Sequence, residues 1–80
     1  METRLLDLRT DFDLTQAQLS LVLNCSQRMY SRYERGEVNI PLSLLIELAK
    51  YYHTSVDYLL KLTDVSTPYP RSKEHRFTAD

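Results

Sequence analysis

Three residues, Asn24-Cys25-Ser26, separate two stretches that each carry their own helix start and stop signals. Two helices joined by so short a link must meet at a steep corner. The upstream helix opens on Thr15-Gln16-Ala17-Gln18, a capping box. The Thr15 hydroxyl can accept from the Gln18 backbone N–H, while the Gln18 side chain reaches back to the Thr15 N–H. Leu14 before the cap and Leu19 inside it supply a hydrophobic staple, so a helix is predicted from Thr15 to about Leu23. Asn24 then stands where a helix exit often needs a left-handed residue. Ser26 is a fresh N-cap, and the next helix runs to Arg35 before Gly36 ends it.

The rest of the chain follows the same grammar. Leu5, Leu8 and Phe12 share a helical face, predicting a helix over about residues 3–12. Pro41 suits the first turn of a fourth helix, with Leu42, Leu45, Ile46, Ala49 and Tyr52 as its inward stripe and His53 at its end. Thr54 or Ser55 caps a short fifth helix carrying Val56, Tyr58, Leu59, Leu60 and Leu62, with Asp57 favoured in its first turn. No segment alternates like a strand. The expected fold class is all-α, a compact five-helix bundle over residues 3–62, followed by a flexible tail over 63–80.

Composition argues against an enzyme. A chain of 80 residues rarely encloses a deep pocket, and its single glycine, Gly36, precludes a glycine-rich phosphate loop. His53, His75 and the lone Cys25 have no metal-site spacing, so neither metal nor cofactor is expected. One cysteine cannot form an internal disulfide, which points to a reducing, cytoplasmic home. No apolar run is long enough to span a membrane, and the acidic N-terminus lacks a signal-peptide core.

The third helix carries the functional signal. On a helical wheel Gln27, Ser31, Arg35, Arg28 and Arg32 fall in one arc of about 140°, with Met29, Tyr33, Tyr30 and Glu34 opposite. Between Asp13 and Glu34 there is no acidic residue, so this surface is positive although the whole chain has a net charge of −1. That distribution matters more to a polyanion than the total does. Arginine can donate two hydrogen bonds to guanine O6 and N7, and glutamine can pair with adenine N6 and N7. A polar helix offered by a short turn is the shape that enters a major groove.

Leu14-Thr15-Gln16, Ser31-Arg32-Tyr33-Glu34-Arg35-Gly36, Leu45-Ile46-Glu47-Leu48-Ala49 and Ser55-Val56-Asp57-Tyr58-Leu59-Leu60 together resemble the phage repressor and Cro-type (Xre) helix-turn-helix. The resemblance covers residues 5–62 and implies a lambda repressor-like five-helix domain that binds double-stranded operator DNA as a two-fold homodimer. By position it assigns base contacts to Gln27, Arg28 and Arg32. It assigns support or backbone contacts to Gln16, Ser26, Ser31, Arg35 and Asn39. Arg9 and Glu34 match a structural ion pair between the first and third helices. Asn24 and His53 stand where many members have glycine.

Other features have two readings. Cys25, ahead of a helix N-terminus, is a reactive thiol or a small apolar plug in the turn. His53 is a ligand or a helix-terminal residue. The tyrosines stack on single strands or fill the core. Leu44, Leu48 and Tyr51, with Leu60 and Leu62, form a partner surface or deepen the core. Arg71, Lys73 and Arg76 in the tail touch phosphate or are simply solvated. The function expected is a small bacterial or phage transcriptional repressor acting by occupancy. With one domain and no internal ligand sensor, its control would come from concentration, proteolysis or a partner. The alternative is an antitoxin or adaptor of the same fold whose main role is to bind a partner protein.

Overall fold

The computed structural model describes residues 2–67. Five helices follow one another: α1 (Leu5–Asp11), α2 (Gln16–Leu23), α3 (Gln27–Glu34), α4 (Leu42–Tyr52) and α5 (Val56–Leu59). No strand occurs among the described residues. The predicted starts are realised by hydrogen bonds. Thr15 Oγ1 accepts from the Gln18 N–H at 3.1 Å, and Gln18 Oε1 accepts from the Thr15 N–H at 2.8 Å. Ser26 caps α3 and Ser55, rather than Thr54, caps α5. Pro41 takes the N-cap position of α4, with extended backbone.

The ends share one geometry. At Asp13, Asn24, Gly36, His53 and Lys61 the backbone turns left-handed, with φ between 54° and 77°. In each case the left-handed residue's N–H bonds three residues back, and the next N–H bonds five residues back, as in Leu14 to Arg9 and Glu37 to Arg32. This is the Schellman closure, which satisfies carbonyls that the last helical turn leaves open. Only one of the five positions is glycine. Asn and Asp tolerate the conformation through short polar side chains, whereas at His53 and Lys61 the crowding of Cβ is a real cost. Lys61 also explains why α5 stops early. The helix ends at Leu59, so Leu62 lies beyond it and is exposed.

The core is built evenly. Leu5, Leu19, Tyr30, Leu48 and Leu59 are fully buried, one from each helix. α2 packs on α3, α5 packs on α4, and α2 also touches α4. Burial of Leu48 decides between its two sequence readings, for the core and against the partner surface. The observed inward stripe of α4 is Leu45, Leu48, Ala49 and Tyr52, rotated by about 50° from the predicted one, so Leu42 and Ile46 face out. Eight of the eleven α4 residues are apolar, a stripe too wide for periodicity alone to locate its centre. Leu44 and Leu60 are partly buried against the core, while Tyr51 remains exposed.

The start of the expected tail lies against the domain. Arg4 donates from Nε to the Tyr58 carbonyl at 2.8 Å and from Nη2 to the Thr63 carbonyl at 3.1 Å and Asp64 at 2.9 Å. Its guanidinium also sits 4.3 Å from the Tyr58 ring centre, a cation–π contact. Thr54 Oγ1 donates to the Ser66 carbonyl at 2.7 Å. Residues 63–66 are thus fastened to Arg4 ahead of α1 and to Thr54 between α4 and α5, a contact that local sequence pattern does not encode. Arg71, Lys73 and Arg76 lie outside the described residues. No helix among the described residues is long and apolar enough to cross a membrane.

Candidate nucleic-acid interface

The corner between α2 and α3 is fixed from both sides. Asn24 closes α2 in the left-handed conformation, and the Cys25 N–H returns to the Ser20 carbonyl at 3.0 Å. One residue later the Ser26 side chain accepts from the Met29 N–H at 3.0 Å and starts α3. Cys25 packs against the core, and burial pushes its thiol pKa up. That direction suits the plug and opposes the lowered pKa of a reactive thiolate.

The inward face of α3 is held by polar as well as apolar contacts. Tyr30 and Tyr33 are buried, and the Glu34 side chain is only 5% exposed. Glu34 Oε2 accepts from Arg9 Nε at 2.7 Å and from the Tyr30 hydroxyl at 3.0 Å. Glu34 Oε1 accepts from Arg9 Nη2 at 3.0 Å and from Gln16 Nε2 at 2.9 Å. Arg9 Nη1 continues to the Leu14 carbonyl at 3.0 Å. Burial alone would raise the Glu34 carboxyl. The hydrogen bonds from Arg9, Gln16 and Tyr30, with the Arg9 charge, outweigh it and hold the pKa below the usual range. The hydrogen bond to Glu34, ahead of an opposing desolvation, raises Arg9 in turn. Burial pushes the Tyr30 hydroxyl well above its ordinary value, helped by the Glu34 charge. This network joins α1, the start of α2 and the end of α3. It sets the height of the α2 N-terminus against the α3 C-terminus.

The outward face is what remains. Gln27, Arg28, Arg32 and Arg35 are exposed, Ser31 is partly so, and Asn39 is exposed in the loop beyond. Gln16 differs from the rest. Its amide N–H is engaged with Glu34, so part of its expected bracing role is visible as a bond that sequence reasoning did not assign. The sequence reading also overlooked Glu37. It follows Gly36 and approaches Arg35 Nε at 2.9 Å and Arg32 Nε at 3.6 Å. Its charge was visible, but the left-handed turn that folds it back over α3 was not tied to that consequence. Among the described residues no cluster of three or more His, Cys, Asp and Glu side chains could hold a metal ion.

A bundle of five short helices that thrusts a polar helix outward from a three-residue corner defines the class of helix-turn-helix domains. Residues 5–59 match the helix-turn-helix family, and the chain belongs to it, in its repressor and Cro (Xre) branch. It is 40% identical over 65 residues to the HTH-type transcriptional regulator YobD of Bacillus subtilis (strain 168), a match covering 81% of this chain and 58% of that protein. It is also similar to a solved transcriptional regulator from Listeria innocua, with 27% identity and a TM-score of 0.69 over 92% of this chain and 63% of that one. The chain therefore spans less than two thirds of the length of either relative.

Proposed function

We propose that this domain is a sequence-specific DNA-binding transcriptional regulator that represses by occupying a palindromic operator as a homodimer. The observation that carries the reading is the two-sidedness of α3. One face is locked to the domain through Glu34, and the other presents Gln27, Arg28 and Arg32 to solvent on a stretch free of acidic residues. A rigidly mounted helix with a bidentate-capable polar face suits the major groove. Gln27, Arg28 and Arg32 are the base readers in this reading. Gln16, Ser26, Ser31, Arg35 and Asn39 support them or touch the backbone.

Selection of bound sequences from a random duplex pool tests it. Near-palindromes with half-site centres about 10–10.5 base pairs apart are expected of a two-fold dimer. Affinity should fall steeply with salt, because phosphate contacts release counterions. Arg28→Ala or Arg32→Ala should flatten preference at one base position per half-site, about 1–3 kcal/mol of discrimination each. Gln16→Ala should weaken all sequences alike. No duplex binding at low salt across the pool sinks the reading.

The exposed Leu42, Ile46, Tyr51 and Leu62 favour a protein contact in addition. A second copy of the chain is the occupant this reading assigns, with a partner protein of an antitoxin or adaptor as the alternative. Sedimentation equilibrium on the pure chain separates the two, since only the first yields a dimer unaided.

A further inference from the structure

An exposed acidic group beside the arginines of α3, Glu37, is placed by the backbone. Gly36 turns left-handed with φ 77°, and the Glu37 N–H returns to the Arg32 carbonyl at 3.0 Å. The Glu37 carboxylate is thereby delivered to Arg35 at 2.9 Å and Arg32 at 3.6 Å. Fold stability gives little reason for it. All three side chains are about half exposed, at 48% for Glu37, 44% for Arg32 and 57% for Arg35, and pairs of that kind contribute little. Glu37 also stands at the negative end of the α3 dipole, where an acidic side chain is unfavourable.

We propose that Glu37 is a positioning residue that sets specificity, weakening the phosphate contact open to Arg35 and holding Arg32 back from phosphate so that its base contact is preferred. The inference rests on the DNA-reading role of α3. In the cluster, two guanidinium charges face one carboxylate, leaving one net positive charge. Moving either arginine to a phosphate exchanges one anion for another and brings phosphate close to Glu37, which repels it. A base edge is different, because O6 and N7 are neutral acceptors and do not repel the carboxylate. The nearest atom of each guanidinium to Glu37 is Nε, on the stem side of the fork rather than its terminal pair. Glu37 can therefore stay in contact while the terminal nitrogens donate elsewhere. Its cost falls on phosphate engagement, the part of binding common to all sequences.

Glu37→Gln is the test, read as affinity for a selected site and for an unrelated duplex over a salt series. Affinity for the unrelated duplex should rise on the order of threefold to tenfold at low salt, and the logarithmic salt slope should steepen by about 0.9, one added phosphate contact. Affinity for the selected site should rise less, so the ratio of the two falls. Glu47→Gln, the same charge change on the exposed side of α4, should leave that ratio unchanged. In an Arg35→Ala background the effect of Glu37→Gln should shrink. An unchanged or larger ratio in Glu37→Gln, or an undiminished effect without Arg35, overturns the role of Glu37 while leaving α3 as the reader. Failure of the unaltered protein to bind any duplex overturns both.

Discussion

Glu34 and Glu37 are the same residue type three positions apart, and each pairs with arginine, yet they do opposite work. Glu34 points into the bundle and collects four donors from three side chains at 2.7–3.0 Å. Glu37 lies past the left-handed Gly36 and meets two arginines in half-exposed positions. The difference is the solvent. A buried carboxylate without its donors is strongly penalised, so Glu34 fixes how α3 is mounted. A carboxylate in water is screened and easily parted from its partners, so Glu37 adjusts the charge that α3 presents.

The contrast is sharpest in stability. Glu34→Ala leaves Arg9 without its partner and should cost about 3 kcal/mol, with Arg9→Ala close behind. Replacing both by apolar residues should cost much less. Urea denaturation measures all three, and single variants that unfold with the wild type would break the comparison.

Acid titration should single out Glu34. Its carboxyl pKa is lowered in the folded state, so its stabilisation is complete above the unfolded value near 4.3 and is lost as pH falls through the folded one. Glu34→Gln should flatten this acid limb of stability against pH relative to wild type. An acid limb as steep as that of wild type would count against the assignment.

Two tyrosines refine the picture further. The Tyr30 hydroxyl donates to Glu34, so Tyr30→Phe should cost roughly 1.5–3 kcal/mol, the range for a hydrogen bond to a charged group. The Tyr52 hydroxyl is buried, has no hydrogen-bond partner among the described residues, and is pushed up to about 12 by burial. Tyr52→Phe should therefore be neutral or stabilising, since it removes an unpaired polar atom and keeps the ring's edge-on contact with Phe12 at 5.0 Å. Comparing the two melting curves isolates the contribution of the Glu34 network. The smallest effect belongs to Glu37→Gln, whose unfolding free energy should stay within about 0.5 kcal/mol of wild type. A larger loss would mean that Glu37 holds the fold as Glu34 does.

Most of the helix boundaries were legible because capping is local. Thr15, Gln18, Ser26, Ser55, Asn24, Gly36 and His53 act on backbone groups within five residues of themselves, so their meaning survives without knowledge of the fold. The two faces of α3 were legible for a similar reason. Its arginines and its tyrosines segregate cleanly, leaving one way to mount it. α4 had no such segregation. Its apolar surface extends beyond the stripe the core uses, and only packing against the other helices selected Leu48 for the interior and left Leu42 and Ile46 outside.

The sequence by itself determined the succession of five helices, the left-handed exits at Asn24, Gly36 and His53 and the polar character of α3, because periodicity and caps act over one or two turns. Tertiary structure decided the rest: the centre of the α4 stripe, the clasp of Arg4 on residues 58–64, the capture of Gln16 by Glu34, and the return of Glu37 over Arg32 and Arg35. Three of these depend on side chains aimed by segments that fold independently of one another or by a turn whose backbone bonds must first close. The fourth depends on competition among apolar surfaces for one small core. Neither is contained in the spacing of residues along a single helix.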